Sequence, residues 1–295
     1  MTSKPLPYIL LLGSLFGSSL VVSRFSLGEF DARAFVSLRL ILASLAHLLF
    51  YLLSRSRSLP RDPSLWFRAS VLGVFGTAAV MTSIVSSLQY LSSGVSSLLL
   101  TLNPVAVVLL AHLFLPDERL TGQKIFGILI ALGGATALLV RGETGLGEFV
   151  QADWRGYALT GLALFFGAWT TIFAHRTLRT ADAFDVASIR MFSACLILIP
   201  VVVFSAGYDL SNVTWRGYLA LAYGGLIGGF AAFLLSFYIL KRFGATVNSM
   251  ATYVIPMVST LLGVLFLDEL VTPWVLLSMV LILAGVWLLN RRPGE

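Results

Sequence analysis

Ten apolar stretches follow one another along the chain, and they leave no segment in which a water-soluble domain could form. They run over 6–24, 33–53, 65–87, 94–115, 121–140, 154–175, 185–205, 215–239, 244–267 and 272–290. About 20 mostly apolar residues in a helix cross the ~30 Å hydrocarbon core of a bilayer. Inside lipid the backbone must satisfy its own hydrogen bonds, which a helix does. The pattern predicts an all-α membrane protein of ten transmembrane helices. Composition agrees: 58% of the 295 residues are hydrophobic and 12% charged, against about 25% charged in a soluble domain.

The net charge of +6 forms no block that nucleic acid would need. The expected partners are membrane lipid and a small solute, with no nucleic acid. Basic residues crowd one side of the predicted membrane. Lys4, Arg55, Arg57, Arg61, Arg68, Arg119, Lys124, Arg176, Arg179, Lys241, Arg242, Arg291 and Arg292 share the side of both termini, and Arg24, Arg33, Arg141, Arg155 and Arg216 the other. Because cytoplasmic loops retain Lys and Arg, both termini are expected in the cytoplasm of a cell with this protein in its inner membrane. The first stretch could pass for a signal peptide, but the single Lys4 and the lack of a small-residue cleavage pattern predict a retained helix. Cys195, the one cysteine, excludes an intrachain disulfide. Trp66, Trp154, Trp215 and Trp274 begin spans, where an indole prefers the headgroup layer.

The halves of the chain repeat at an offset near 151. Phe16-Gly17 returns as Phe166-Gly167, and Ser37-Leu38-Arg39 with Ala43 as Ser188-Ile189-Arg190 with Ala194. Gly94 with Pro104 returns as Gly244 with Pro256, Asp117-Glu118 with Thr121 as Asp268-Glu269 with Thr272, and Gly134 as Gly285. A repeat with five spans must enter the membrane from the opposite side the second time. Residues 1–145 and 150–295 are therefore expected to form two inverted five-helix halves, an architecture in which transporters bind solute at the interface.

Pro104 and Pro256 fall at matching places in the fourth and ninth spans, where each removes a backbone donor and should kink its helix. Broken helices at equivalent positions point to a transporter's central site; a purely structural kink is the competing reading. Arg39 and Arg190 are the basic residues well inside spans. A charge in lipid is costly and functional by default, so gating, helix fixing or contact with a substrate carboxylate are open to them. No Asp or Glu lies centrally in any span, which leaves a proton relay without an obvious carrier. His47 and His112 read as hydrogen-bonded packing residues, and with His175 they show no metal-ligand spacing. Glu118 and Glu269 precede Thr121 and Thr272, which look like N-caps of the fifth and tenth helices, with Pro273 at the first helical position.

Gly13 and Gly17, Gly133-Gly134, Gly224-Gly225 and Gly228-Gly229 let helices approach closely. Ser14 and Ser18 share a face beside the first of these patches. Asn103 and Asn248 place amides on the two proline-bearing spans, and Trp169, Tyr223 and Tyr253 are central aromatics able to stack on a planar solute. Ser14, Ser18, Asn103, Trp169, Tyr223, Asn248 and Tyr253 are the candidate substrate contacts. Arg39, Pro104, Arg190 and Pro256 are candidates for hinges, gates or structural supports. A cavity lined by spans one, three, four, six, eight and nine is expected. No catalytic set, metal or cofactor is predicted, and a monomer is expected.

Over essentially its whole length the sequence resembles an EamA-type member of the drug/metabolite transporter superfamily. The likeness rests on the doubled unit and on Arg39 and Arg190. It rests also on the run from Gly94 through Asn103-Pro104 to Phe114-Leu115-Pro116-Asp117-Glu118-Arg119-Leu120-Thr121, and its second copy from Gly244 through Pro256 to Phe266-Leu267-Asp268-Glu269-Leu270. The second copy has no basic residue where Arg119 follows Glu118, and Ile255 stands near the place of Asn103. The resemblance implies a ten-helix carrier that exports amino acids or related metabolites by alternating access, and YddG-like relatives export aromatic amino acids. Cation or multidrug efflux, and carriage of nucleotide sugars or sugar phosphates, are the alternatives.

Overall fold

The structure, a computed structural model, describes residues 5–54, 58–114, 120–147 and 153–290, without the side chains of residues 245 and 246. Lys4, Arg55, Arg57, Arg119, Arg291 and Arg292 of the charge pattern, and the Pro116-Asp117-Glu118 segment, lie outside the described residues. Among the described residues ten helices are long and apolar enough to cross a membrane. They are α1 (Leu6–Ser26), α2 (Ala32–Leu53), α3 (Pro63–Ser87), α4 (Ser93–Phe114), α5 (Gly122–Arg141), α6 (Trp154–Thr177), α7 (Ala183–Ser205), α8 (Trp215–Phe243), α9 (Val247–Leu267) and α10 (Pro273–Asn290). The chain is a multi-pass membrane protein.

Short polar side chains start the helices by taking up the first free N–H groups. Asp31, Asp62, Ser92, Thr121, Asp153, Asp182 and Thr214 cap α2 to α8 in this way. Thr272 accepts from Val275 N at 3.2 Å and caps α10, as expected of it. Large apolar side chains cover the perimeter, Phe204 being 90% exposed, while serines and glycines fill the contacts between helices. That distribution suits lipid, where small residues and not hydrophobic contrast bring helices together.

Reciprocal contacts establish the inverted repeat. A Cβ added to Gly134 of α5 would lie 3.1 Å from Ser278 O of α10, and one added to Gly285 of α10 would lie 2.5 Å from Gly127 O of α5. Positions 127 and 278, like 134 and 285, are 151 apart, so the two helices exchange roles as a pseudo-twofold axis requires. The same exchange links α3 with α7 and α8 with α2. A Cβ at Gly73 would meet Arg190 O at 2.7 Å, and one at Gly225 would meet Arg39 O at 3.0 Å.

Two helices widen into π turns, Val74–Ala79 in α3 and Tyr223–Ala231 in α8. A π turn carries an extra residue and is uncommon outside functional sites. The offset of the repeat carries the first onto the second. In α4 the helix breaks at Thr101-Leu102, directly before Pro104. Pro256 instead stands within a continuous helix, and the break in that part of the chain falls at Met250. There the Thr252 hydroxyl donates to Ser249 O at 2.6 Å, drawing that carbonyl out of the ladder.

The described chain begins and ends on one face, where Tyr8 packs on Phe243 and Asn290 donates to the Tyr253 hydroxyl at 2.9 Å. On the opposite, far face backbone hydrogen bonds tie the two halves together. Ser92 N donates to Thr144 O at 2.8 Å and Leu270 N to Gly145 O at 2.9 Å, so the connection between the halves clasps a helix junction from each. Gly145 holds φ at +69° there, and an added Cβ would collide with the Ser92 hydroxyl.

Candidate functional site

A cavity of about 280 Å³ lies between the two halves. Its walls come from α1 (Phe16, Ser19, Leu20, Ser23), α3 (Gly76, Thr77, Val80, Met81, Ile84, Val85), α4 (Ser97, Leu100, Thr101), α8 (Gly228, Phe233) and α9 (Thr252, Ile255). Arg39 of α2 and Arg190 of α7 complete it. Spans two and seven thus replace the sixth in the expected lining. The reason is packing: Thr170 of α6 fills the space beside Gly76, with its Oγ1 2.9 Å from an added Cβ, so α6 sits behind α3.

The two arginines hold equivalent positions. Each is the eighth residue of its helix, counted from Ala32 and from Ala183. Arg39 Nη1 donates to Ser23 Oγ at 3.0 Å and Nη2 to Ser19 Oγ at 3.2 Å. Its guanidinium lies over the Phe35 ring, 5.9 Å from the centroid. Arg190 Nε donates to Thr77 Oγ1 at 3.2 Å and Nη2 to Gly76 O at 3.2 Å. Each arginine of one half therefore docks on the π turn of the other: Arg190 on Val74–Ala79, and Arg39 against Gly224 and Gly228, whose added Cβ atoms would stand 3.8 Å from Nε and 3.3 Å from Nη2. Gly228 lets the Arg39 guanidinium approach closely, since a Cβ there would crowd Ser19 and Nη2. Among the described residues no carboxylate pairs with either arginine, and no acid lines the cavity.

The sequence profile of the EamA-like transporter family matches residues 4–140 and again residues 154–291. The chain belongs to the EamA-like transporter family. A transporter of Archaeoglobus fulgidus is 25% identical over 95% of this chain and 96% of its own length. A Streptantibioticus cattleyicolor protein named a probable terminal-alkyne amino-acid exporter is 26% identical over 81% of this chain and 75% of its own. The riboflavin transporter ImpX of Fusobacterium nucleatum is 26% identical over 72% and 71%. A solved crystal structure superimposes with a TM-score of 0.66 over 96% of each chain at 21% identity, a likeness of fold alone.

In this EamA-family chain the sequence candidates fall in several places. Ser18 Oγ donates to Ser14 O at 2.6 Å and lies 2.8 Å from the Tyr223 hydroxyl, so Ser14, Ser18 and Tyr223 meet where the α8 π turn begins. Asn103 faces α6, its Oδ1 3.1 Å from an added Cβ on Gly167. Trp169 stacks on Phe173 at 5.6 Å and meets the edge of Phe75 at 5.5 Å. Asn248 accepts from Ser236 Oγ at 3.0 Å, and Tyr253 accepts from Asn290. None of these seven is among the cavity-lining side chains; Arg39 and Arg190 are. The hydroxyls of Ser19, Ser23, Thr77, Ser97, Thr101 and Thr252 were not singled out. Ser19/Ser23 and Ser97/Thr101 carry a signal, an i, i+4 pair of hydroxyls on one helical face.

His47 is a hydrogen-bonded packing residue. Ser188 Oγ gives its proton to Phe184 O at 2.8 Å, so the 2.9 Å contact with His47 Nδ1 requires Nδ1–H to be the donor. Glu269 reaches back to the start of α4, where it accepts from Ser93 N and Ser93 Oγ. Its carboxylate serves α4 rather than the start of α10.

Proposed function

We propose that this EamA-family transporter resides in a cell inner membrane with both termini cytoplasmic and exports small metabolites, amino acids including aromatic ones. It works by alternating access, as a facilitative carrier or exchanger. The observation carrying this reading is a cavity walled by residues of both halves. One chain supplies both walls, which supports a monomer as the working unit. Rocking of the halves about the broken α4 at Pro104 and about the Pro256 helix exchanges access. Ser18 adjoins Ser19, and Tyr253 adjoins Thr252. Ser14 lies two residues from Phe16 and Asn103 two from Thr101; these candidates, with Tyr223, Trp169 and Asn248, meet the solute along the path in the other access state.

The cavity chemistry suits an amino acid: apolar walls for the side chain and guanidinium for the carboxylate. It opposes cation efflux, which needs an acid in the cavity. Purified protein in liposomes preloaded with unlabelled phenylalanine, given labelled phenylalanine outside, tests the reading. Saturable exchange well above empty vesicles is expected. Vesicles that exchange neither phenylalanine nor any other amino acid overturn it.

A further inference from the structure

Two guanidinium groups border one cavity with no counter-charge among the described residues. A guanidinium has five N–H donors, and each of these uses two on protein acceptors. Charge in a low-dielectric interior is strongly disfavoured unless paired, so the cavity is a trap for an anion that can take up the remaining donors. A carboxylate matches the planar fork in geometry. The rest of the lining is chiefly apolar, with Phe16, Leu20, Met81, Ile84 and Phe233 able to hold a hydrocarbon or aromatic body.

The inverted repeat sets the two charges at different depths. Arg39 enters from the far face and Arg190 from the face of the termini, each about 10 Å along its helix at 1.5 Å per residue. In a ~30 Å core they stand at successive levels of one path. They are equivalent in sequence, in docking on a π turn, and in spare donors.

We propose that the cavity selects amphipathic monocarboxylates as anions and passes the carboxylate between Arg190 and Arg39, two equivalent stations serving opposite sides of the membrane. This rests on the transport reading above and narrows it, because the carboxylate and not the ammonium is what the cavity recognises. A solute lacking the amino group should fit as well as an amino acid, and a solute lacking the carboxylate should not.

The test uses the full-length protein. Thermal shift of the detergent-solubilised protein compares phenylalanine, 3-phenylpropanoate and phenethylamine, since a ligand bound to the folded state raises stability whether or not transport occurs. The two acids are expected to raise Tm alike, and the amine to leave it unchanged at tenfold higher concentration. In oriented proteoliposomes, Arg190→Gln is expected to raise KM at least tenfold for entry from the face of the termini, and less than threefold from the far face. Arg39→Gln should do the reverse. Should either variant fail to fold, Arg39→Lys and Arg190→Lys, which keep the charge and lose the fork, should show the same sidedness with smaller shifts. An amine that stabilises as well as the acids overturns the proposal, as do KM changes equal on both faces or absent from both. Phenylalanine exchange inhibited equally by phenethylamine leaves the transport reading standing and removes this one. Stabilisation by 3-phenylpropanoate with no amino-acid exchange does the opposite.

Discussion

The carboxylate of Glu269 accepts hydrogen bonds from the backbone N–H of Ser93 at 2.7 Å and from the Ser93 hydroxyl at 2.8 Å. An acid of the second half thus caps the first turn of α4 in the first half, and Gly94 N approaches it at 3.3 Å. The negative charge also complements the positive end of the helix dipole. Gly263 makes the arrangement possible, because a Cβ there would occupy the carboxylate's place. Glu269→Ala leaves buried N–H groups unmet, and each such group costs about 1–3 kcal/mol. A lowered unfolding midpoint in detergent is expected, with Glu269→Gln falling between it and the wild type. An unchanged midpoint for Glu269→Ala would show that this cap adds nothing to stability.

The seam between α5 and α10 tolerates no added bulk. A Cβ on Gly285 would lie 2.5 Å from both Ala131 N and Gly127 O, and backbone cannot swing aside as a flexible side chain can. Gly133, on the same helix as Ala131, has nothing within 4 Å of its added Cβ. Overpacking of this kind costs about 1–3 kcal/mol or more. Gly285→Ala should lower the unfolding midpoint, while Gly133→Ala should match or exceed the wild type, alanine being the better helix former. Equal midpoints for the two variants would contradict the packing.

Ser278 on the same seam is fully buried, and its hydroxyl has no hydrogen-bond partner among the described residues. Burying an unpaired hydroxyl costs about 1–3 kcal/mol. Replacing it with alanine therefore removes a penalty and leaves almost no void. Ser278→Ala should be neutral or stabilising. A clear loss of stability would mean the hydroxyl has an acceptor in the working protein.

Tyr223 and Ser18 form a bond between the halves at the start of the π turn in α8. The Ser18 proton goes to Ser14 O, so the tyrosine is the donor. A double-mutant cycle of Tyr223→Phe and Ser18→Ala should return a coupling of about 0.5–1.5 kcal/mol, the net worth of a neutral hydrogen bond. Additive effects of the two changes would show that the pair contributes nothing as a pair.

The spans were legible because lipid permits little else: apolar runs must be helices of a certain length, and Asp, Ser or Thr before eight of the ten runs marks where they start. The inverted halves were legible too, since Gly134 and Gly285 recur at the repeat offset and hold reciprocal contacts. The cavity was only half legible. Arg39 and Arg190 stood out as charges where charge is costly. Ser19, Thr77 and Ser97 did not, because the lipid-facing and cavity-facing sides of these helices are both apolar and no polar face tells inside from outside. Trp169 illustrates the difficulty from the other direction, since its depth in α6 was readable but its neighbours Phe75 and Phe173 were not. The π turns carry no sequence signature of their own. Gly224, Gly225, Gly228 and Gly229 read as close-packing residues, which they are, without announcing the widened backbone.

The matching placement of those widened turns bears on how the molecule arose. An extra residue inserted independently into two helices, at corresponding points and opposite corresponding arginines, requires two coincident accidents. A gene encoding five helices, already carrying the insertion when it was copied and fused, requires one. On that history the ancestor was a homodimer of upside-down partners, and the arginine-to-glycine docking seen here is its former subunit interface, now internal to a single polypeptide.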